Sequence, residues 1–345
     1  MSVTLSFRPT ACLRWGAAVL AFSLVLRAAG PEPAALDAVQ PYLRTQRGTN
    51  GTAALEVALR RLVPTRGEGP ELWLVAVTHL GTREYYAELQ RFLEARSLVF
   101  YEAVQSPDSG PPVRDGSYSL QADLARALGL AFQLDEIDYH RGHFRNSDLS
   151  LEQLTRLFAA RPDAAAAPAA DRPPAEGTVE FDALLQAMTG EGLLGGLARL
   201  SVSVLAASTR LQAATKVAMI EVLGQLPNDM AGMAGRPAGM QRLVRVLIEE
   251  RNQAVVRDVR AALHTRPPPA SVGVFYGAGH MADLELRLCQ ELGYQPVEDR
   301  WLTAFDVNPR QMGVSEIELA LMSRLVRAQL KGLERSEPVA EPTRD

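Results

Sequence analysis

Short apolar runs alternating with amphipathic stretches organise the first half of the chain. Residues 71–77 (ELWLVAV) and 98–101 (LVFY) are almost entirely apolar, as expected for short strands buried on both faces of a sheet. Between them, residues 83–96 carry apolar side chains every three or four positions, which is typical of one face of a helix. A strand, a helix and a strand in this order predict a βαβ unit with parallel strands and a right-handed crossover.

Similar patterns continue towards the C-terminus. An apolar run at 272–276 (VGVFY) predicts another buried strand, and the helix after it should end at Gly293, a residue suited to a helix C-terminus. The pattern predicts an α/β fold with a central, largely parallel sheet flanked by helices, and with a helical insertion before the strand at 272–276. The remaining predicted elements are a linker over 31–50, a short helix over 51–62, a helix over 120–128, a short strand over 130–134, a helix beginning near Asp148 or Ser150, mostly helical structure over 181–263, a helix over 284–292, a strand over 294–297 and a helix over 316–333.

The N-terminus has the layout of a secretory signal peptide. Arg8 and Arg14 precede an uncharged apolar stretch over 15–26, and small residues follow at 28–30. This stretch is shorter than the roughly 20 residues that span a bilayer, so we expect export to the periplasm or the exterior. The alternative is a cytoplasmic chain with a fortuitously apolar start. The main variant of export is an uncleaved signal anchor, which is the only membrane contact expected. The predicted organisation is a signal peptide over 1–30, one α/β domain over 31–335 with a flexible Ala/Pro-rich insertion at 159–177, and a disordered tail over 336–345.

Composition narrows the classes of partner. A formal net charge of −4 with scattered arginines and only 6% aromatic residues argues against nucleic acid as a partner.

Of the two cysteines, Cys12 lies in the predicted signal peptide, so the mature chain would hold Cys289 alone and no disulfide partner is expected. Cys289 lies on an apolar helical pattern, which favours a packed thiol over a nucleophile.

Three ionisable residues follow the apolar runs directly. His79 comes after 71–77, Glu102 after 98–101 and His280 after 272–276. Because parallel strands end at one ligand-binding edge of a sheet, these side chains could face one ligand. Two histidines and a carboxylate are a partial ligand set for Zn²⁺ or Mn²⁺, or without metal a general acid–base group. Each could instead be a structural loop histidine or an ion-paired glutamate.

Other residues complete the list of candidates. Gly277 and Gly279 flank the turn before His280 and would let the backbone approach a ligand, or would simply make a tight turn. Of the five histidines, His140 and His143 have a spacing compatible with a metal but a composition that favours a solvated loop. His264 follows a long helical pattern, where a histidine at the helix C-terminus is the simpler interpretation.

Several segments together resemble the TraB/GumN/Tiki family. The segments that carry the resemblance are AVTHLG (76–81), FYEAV (100–104), NSDLS (146–150), EERN (249–252) and GAGHMADLELRL (277–288). They match the paired G-x-x-H motifs of the family, its strand-end Glu, its D-L-S segment and its E-R-N segment, in the same order. The chain departs from the family at Ala76, where the first motif usually has Gly, so close backbone approach is in doubt there.

The resemblance implies a specific set of roles. It relates the chain to a wider group with metal-dependent Tiki proteases, erythromycin-esterase-like hydrolases and haem-binding ChaN-like proteins. His79, Glu102 and His280 become candidate metal ligands and catalytic residues, and Arg251 and Asn252 become candidates for orienting a substrate. The expected function is an exported hydrolase that depends on Mn²⁺, Co²⁺ or Zn²⁺ and could cleave peptide bonds. The alternative is a non-catalytic protein that captures a peptide or small molecule in the same cleft. Fold alone does not decide between them.

Overall fold

A computed structural model of the chain describes residues 39–105, 110–112, 120–159, 201–225, 244–321 and 323–324. Their centre is a mixed seven-stranded sheet accompanied by a small two-stranded one. The strands are β1 (Leu43–Arg47), β2 (Ala53–Pro64), β3 (Glu71–Val77), β4 (Leu80–Gly81), β5 (Leu98–Tyr101), β6 (Ala131–Phe132), β7 (Phe144–Asn146), β8 (Ser271–Gly277) and β9 (Tyr294–Val307). The helices are α1 (Arg83–Glu94), α2 (Leu120–Ala127), α3 (Gln133–Glu136), α4 (Leu151–Ala159), α5 (Thr209–Leu223), α6 (Glu250–Leu263) and α7 (Met281–Leu292).

One half of the large sheet is parallel. Its strands lie in the order β3, β8, β5 and β7, and each neighbouring pair runs parallel. The strands expected at 71–77, 98–101 and 272–276 are confirmed, with β8 inserted between the other two. β8 is buried from Ser271 to Tyr276, as its continuous apolar pattern requires for a central strand covered on both faces.

The other half is antiparallel and contains the main correction to the predicted elements. The short helix expected over 51–62 is wrong: this segment belongs to β2, which pairs antiparallel with β1, β3 and β9. Its apolar residues allow a helical spacing, but its charged residues find partners on neighbouring strands, as Arg60 does with Asp299 of β9. The strand expected over 294–297 extends to Val307 because β9 pairs with β2 along its whole length, through two register shifts.

Helices α1, α2 and α7 lie within about three residues of their predicted bounds, whereas the helix expected over 316–333 is described only to residue 324. Thr82 begins α1, accepting a hydrogen bond from the Tyr85 N–H at 3.2 Å. Ser150 does the same for α4, where its hydroxyl accepts from the Gln153 N–H at 3.2 Å. Gly293 ends α7 with a φ of 70°, a left-handed conformation that favours glycine. The strand expected over 130–134 is reduced to β6, because the chain turns into α3 at Gln133.

Parts of the predicted organisation fall outside the described residues. These are the signal peptide over 1–30, the insertion over 160–177 beyond the end of α4, and the tail over 336–345. The segments of 181–263 that are described are helical apart from short turns. Within the described ranges, no helix combines the length and the apolar composition needed to cross a membrane.

Candidate functional site

The C-terminal edge of the parallel half-sheet is where the candidate residues meet. His79, Glu102 and His280 follow β3, β5 and β8, three adjacent strands that run in the same direction. The Glu102 N–H continues the β5–β8 ladder by donating to the Phe275 carbonyl at 3.1 Å. The strand order therefore brings the loop after β8 between the loops that carry the other two residues.

Glu102 is the centre of the cluster. Its Oε1 accepts from Nη2 of Arg251 at 2.6 Å, and its Oε2 accepts from the Gly277 N–H at 2.7 Å. Nε2 of His280 lies 3.6 Å from Oε1. Burial alone would raise the pKa of Glu102, but Arg251, the histidines and the Gly277 N–H together hold this pKa well below its ordinary value. The group is therefore a carboxylate at neutral pH, with 18% of its side chain exposed.

His280 is a buried, neutral imidazole. It ends a 3-10 turn over Ala278–His280 and is 5% exposed. Nδ1 lies 2.7 Å from Oδ1 of Asn252, and Nε2 lies 3.4 Å from Nη1 of Arg251. Burial lowers the pKa of His280 to about 4, with the nearby carboxylate of Glu102 opposing the shift and Arg251 adding to it.

Arg251 connects this pair to a further carboxylate. It lies at the start of α6, directly after a π-helical turn over Arg245–Glu249, a type of turn that is frequent at functional sites. Its Nε and Nη2 donate to the two oxygens of Asp148 at 2.8 and 2.7 Å, a bidentate charge-assisted pair. Burial alone would lower the pKa of Arg251, but Glu102 and Asp148 raise it well above its ordinary value. Arg251 is thus a permanent cation held between two carboxylates.

Asp148 was not among the predicted site residues. Its side chain is fully buried at the start of the loop after β7, the fourth parallel strand to end at this edge. The sequence pattern marks it only as a possible start of α4 and as part of the NSDLS segment. Asp148 could have been found as a polar residue two positions beyond a strand. That strand, β7, is only three residues long, however, and the hydrophobic pattern of the sequence does not reveal it.

His79 lies at the exposed rim of the cluster. Its Nδ1 is 3.0 Å from Oε1 of Gln133, a buried residue at the start of α3. The Gln133 N–H also donates to the His79 carbonyl at 3.0 Å, so the amide residue is tied to the histidine twice. In the described residues, the hydrogen bonds of the His79 ring lead to Gln133 and not to Glu102. His79 nevertheless acts electrostatically on both Glu102 and His280.

The glycines and Ala76 differ in what they contribute. A Cβ at Gly277 would lie 3.2 Å from Oε2 of Glu102, so the close approach of this carboxylate depends on the missing side chain. Gly279 lies within the 3-10 turn that carries His280. Ala76 is fully buried inside β3, opposite Tyr276 of β8, so the residue that departs from the family motif belongs to the sheet interior.

Arg251 is the nearest cation to the side chains that the resemblance implies as metal ligands. No group of three or more His, Cys, Asp or Glu side chains is placed to hold a metal ion within the described ranges. Nη2 of Arg251 already contacts Glu102 at 2.6 Å, and Nη1 lies 3.4 Å from His280. The guanidinium charge opposes a divalent cation at this position, whereas the carboxylates of Glu102 and Asp148 favour one.

The remaining candidates lie apart from the cluster. His140 is exposed with Nδ1 3.6 Å from Oδ1 of Asp138, and the His143 ring packs edge-on against Phe144. His264 follows the C-terminus of α6 with Nδ1 2.7 Å from the Arg260 carbonyl, in keeping with the simpler interpretation of this residue. Cys289 is half-buried, and burial raises the pKa of its thiol to about 11, as expected for a packed thiol.

Comparison with known proteins identified no relative of this chain. No family model matches the chain, and neither the curated proteins nor the solved structures contain a match. Kinship with the TraB/GumN/Tiki family therefore stays a prediction from the quoted segments.

Proposed function

We propose that the protein is an exported hydrolase whose catalytic groups are Glu102, His280 and His79. The observation that carries the proposal is the approach of an ionised carboxylate and a neutral imidazole to 3.6 Å at the ligand-binding edge of a parallel sheet. A carboxylate and an imidazole at this distance can orient a water molecule and take up its proton during attack on an ester or peptide bond. His79, at the exposed rim, is the group that an incoming substrate meets first.

We propose a metal-independent reaction because of the position of Arg251. It supplies a fixed positive charge beside Glu102 and His280, a position where developing negative charge would be stabilised. The TraB/GumN/Tiki resemblance instead implies Mn²⁺, Co²⁺ or Zn²⁺ on the same side chains. Membership of that family remains part of the proposal, because the quoted segments alone support it.

A second function is favoured by the chemistry of Glu102. Both of its oxygens already accept hydrogen bonds, and its low pKa makes it a weak base. A site of this kind could bind a peptide or small molecule without turnover. The alternative function is therefore a non-catalytic binding protein that uses the same edge of the sheet.

Activity and metal content of the purified full-length protein separate these functions. We expect hydrolysis of chromogenic ester or peptide substrates that survives exhaustive treatment with a chelator. Glu102→Gln and His280→Gln should abolish it, whereas His143→Ala and His264→Ala should not. Stoichiometric Mn²⁺, Co²⁺ or Zn²⁺ that disappears in His79→Ala and His280→Ala would establish the metal-dependent form. Binding of a ligand without turnover would establish the alternative.

A further inference from the structure

Each of the two site histidines has the amide oxygen of a buried side chain against its Nδ1. For His280 this oxygen is Oδ1 of Asn252 at 2.7 Å, and for His79 it is Oε1 of Gln133 at 3.0 Å. A carbonyl oxygen can only accept a hydrogen bond, so each contact requires a proton on Nδ1. The orientation of the two amides therefore decides which ring nitrogen carries the proton.

The orientation of Asn252 is set by two acceptors. Its Nδ2 donates to the His280 carbonyl at 3.1 Å and to Oδ2 of Asp283 at 2.8 Å. Arg287 holds the same oxygen of Asp283 at 2.7 Å. Both protons of the amide are thereby used, and because Asn252 is fully buried, turning the amide over would point Oδ1 at two acceptors, the Asp283 carboxylate and the His280 carbonyl. Oδ1 is left to face the ring.

The contacts of Gln133 are compatible with the same arrangement. Its Nε2 donates to the hydroxyl of Tyr139 at 2.9 Å, in a buried contact. Its backbone N–H is bound to the His79 carbonyl, which fixes the position of the amide relative to the ring. A hydroxyl can accept from Nε2 or donate to Oε1, so it allows the orientation that the structure shows, with Oε1 of Gln133 directed at Nδ1 of His79.

Arg251 provides an independent constraint on His280. Its Nη1, which can only donate, lies 3.4 Å from Nε2 of the ring. A proton on Nε2 would face a guanidinium N–H, whereas a lone pair on Nε2 would accept from it. Oε1 of Glu102, an acceptor that would favour a proton on Nε2, lies farther away at 3.6 Å, beyond hydrogen-bond distance, so the contact with Arg251 agrees with the tautomer that Asn252 requires.

We propose that Gln133 and Asn252 are positioning residues that hold His79 and His280 as Nδ1–H tautomers, so that Nε2 of each ring carries the lone pair. The tautomers follow from the hydrogen bonds alone, while their catalytic consequence rests on the proposed hydrolytic function. The inference names the ring nitrogen of each histidine that carries no proton. It also assigns a role to Gln133, which has no distinguishing sequence motif.

Nitrogen-15 NMR of the full-length protein, labelled in its histidine side chains, tests the proposal directly. Rings are assigned by substituting the five histidines one at a time. We expect His79 and His280 to show Nδ1–H and unprotonated Nε2 at neutral pH. His264, whose Nδ1 faces the Arg260 carbonyl away from the site, is an internal reference for this tautomer. Nε2–H on either site ring would overturn the inference for that residue, whatever the activity.

Substitutions separate positioning from a purely structural role. Gln133→Leu and Asn252→Leu should release the tautomer of their own histidine, and Gln133→Glu, which keeps an acceptor, should retain it. Gln212→Leu, at a half-buried glutamine of α5 outside the site, is the matched control. If Asn252→Leu does not fold, the wild-type spectrum and the Gln133 pair still decide the question. An unchanged His79 tautomer in a folded Gln133→Leu protein would overturn the role of Gln133.

Turnover gives a separate readout. Where the protein is active, each Leu variant should lose between about 10-fold and 10⁴-fold in kcat, the range seen when the orientation of a functional histidine is lost. Absence of turnover in the wild type would end the hydrolase proposal and leave the tautomers to be judged by NMR. Full kcat in a folded Leu variant with an altered tautomer would overturn the role of that tautomer in catalysis.

Discussion

Arg251 is the residue on which the charge balance of the site depends. Its guanidinium is bound to Asp148 and Glu102 and lies beside His280, and its side chain is only 8% exposed. Removing it would leave two largely buried carboxylates close together without their cation. In buried ion pairs this costs far more than the net value of the pair, because the remaining charge stays desolvated.

Arg251→Met should therefore lower the free energy of unfolding by about 3–5 kcal/mol. Arg260→Met, on the same helix, is the control, because Arg260 pairs with Glu291 at the surface and both side chains are at least 40% exposed. That variant should lose less than about 1 kcal/mol. Urea denaturation monitored by circular dichroism measures both. Equal losses in the two variants would contradict the buried network.

The site should also make stability depend on pH. The folded pKa of His280, near 4, lies below its ordinary 6.5, so the unfolded chain binds the extra proton first. Stability should thus fall as the pH drops from about 6.5 to 4, by at most roughly 3 kcal/mol. Glu102, with a lowered folded pKa, contributes stability that is present above its unfolded pKa of about 4.3 and is lost below it.

Urea midpoints measured from pH 7 to pH 4 test this dependence. In the wild type the free energy of unfolding should decline as the pH falls from 7 to 4. The charged or titratable groups around the His280 ring are Glu102, Arg251, Asp148 and His79. His280→Gln should flatten that decline, whereas His264→Gln should leave it in place. A decline of the same size in His280→Gln would show that another group is responsible.

At the scale of elements, β2 is held by a second buried charge network at a distance from the candidate site. Arg60 is 1% exposed and donates to both oxygens of Asp299 on β9 and to Glu285 on α7. The Tyr42 hydroxyl donates to the same oxygen of Glu285 at 2.6 Å. These bonds join β2, β9, α7 and the segment before β1, and they explain how a charged position can lie inside the sheet.

The neighbouring arginines of β2 give a matched comparison. Arg60→Leu should destabilise the protein by about 3–5 kcal/mol because Glu285 and Asp299 lose their cation. Arg61→Leu should cost less than about 1 kcal/mol, since Arg61 and its partner Glu298 are each about one-third exposed. Thermal and urea unfolding measure the difference. A stable Arg60→Leu protein would mean that the network contributes little to holding β2.

At the scale of the whole molecule, export is the property that the described fold does not address. Arg14, the apolar stretch over 15–26 and the small residues before Pro31 predict it. A periplasmic reporter fused after Gln40 should be active in a bacterial host, and replacing Leu20 and Leu24 by Arg should abolish that activity. An active cytoplasmic reporter at the same fusion point would contradict the predicted localisation.

The fold was partly predictable because the composition of some segments is enough to show that they are buried. The runs at 71–77 and 98–101 are apolar enough to be recognised as buried strands without knowledge of their neighbours. β2 could not be recognised in this way, because its charged positions are satisfied by residues distant in sequence, such as Asp299 for Arg60. Its antiparallel partners, rather than its local pattern, determine that it is a strand.

The candidate site shows a similar division. The sequence by itself determined that His79, Glu102 and His280 each follow a buried run, because strand ends are a local property. Only the tertiary structure decided that β8 lies between β3 and β5, and that Asp148 and Gln133 arrive from other loops. The protonation and orientation of the site depend on burial and on hydrogen bonds between residues far apart in the chain. Contacts of that kind exist only once the sheet has brought its strand ends together.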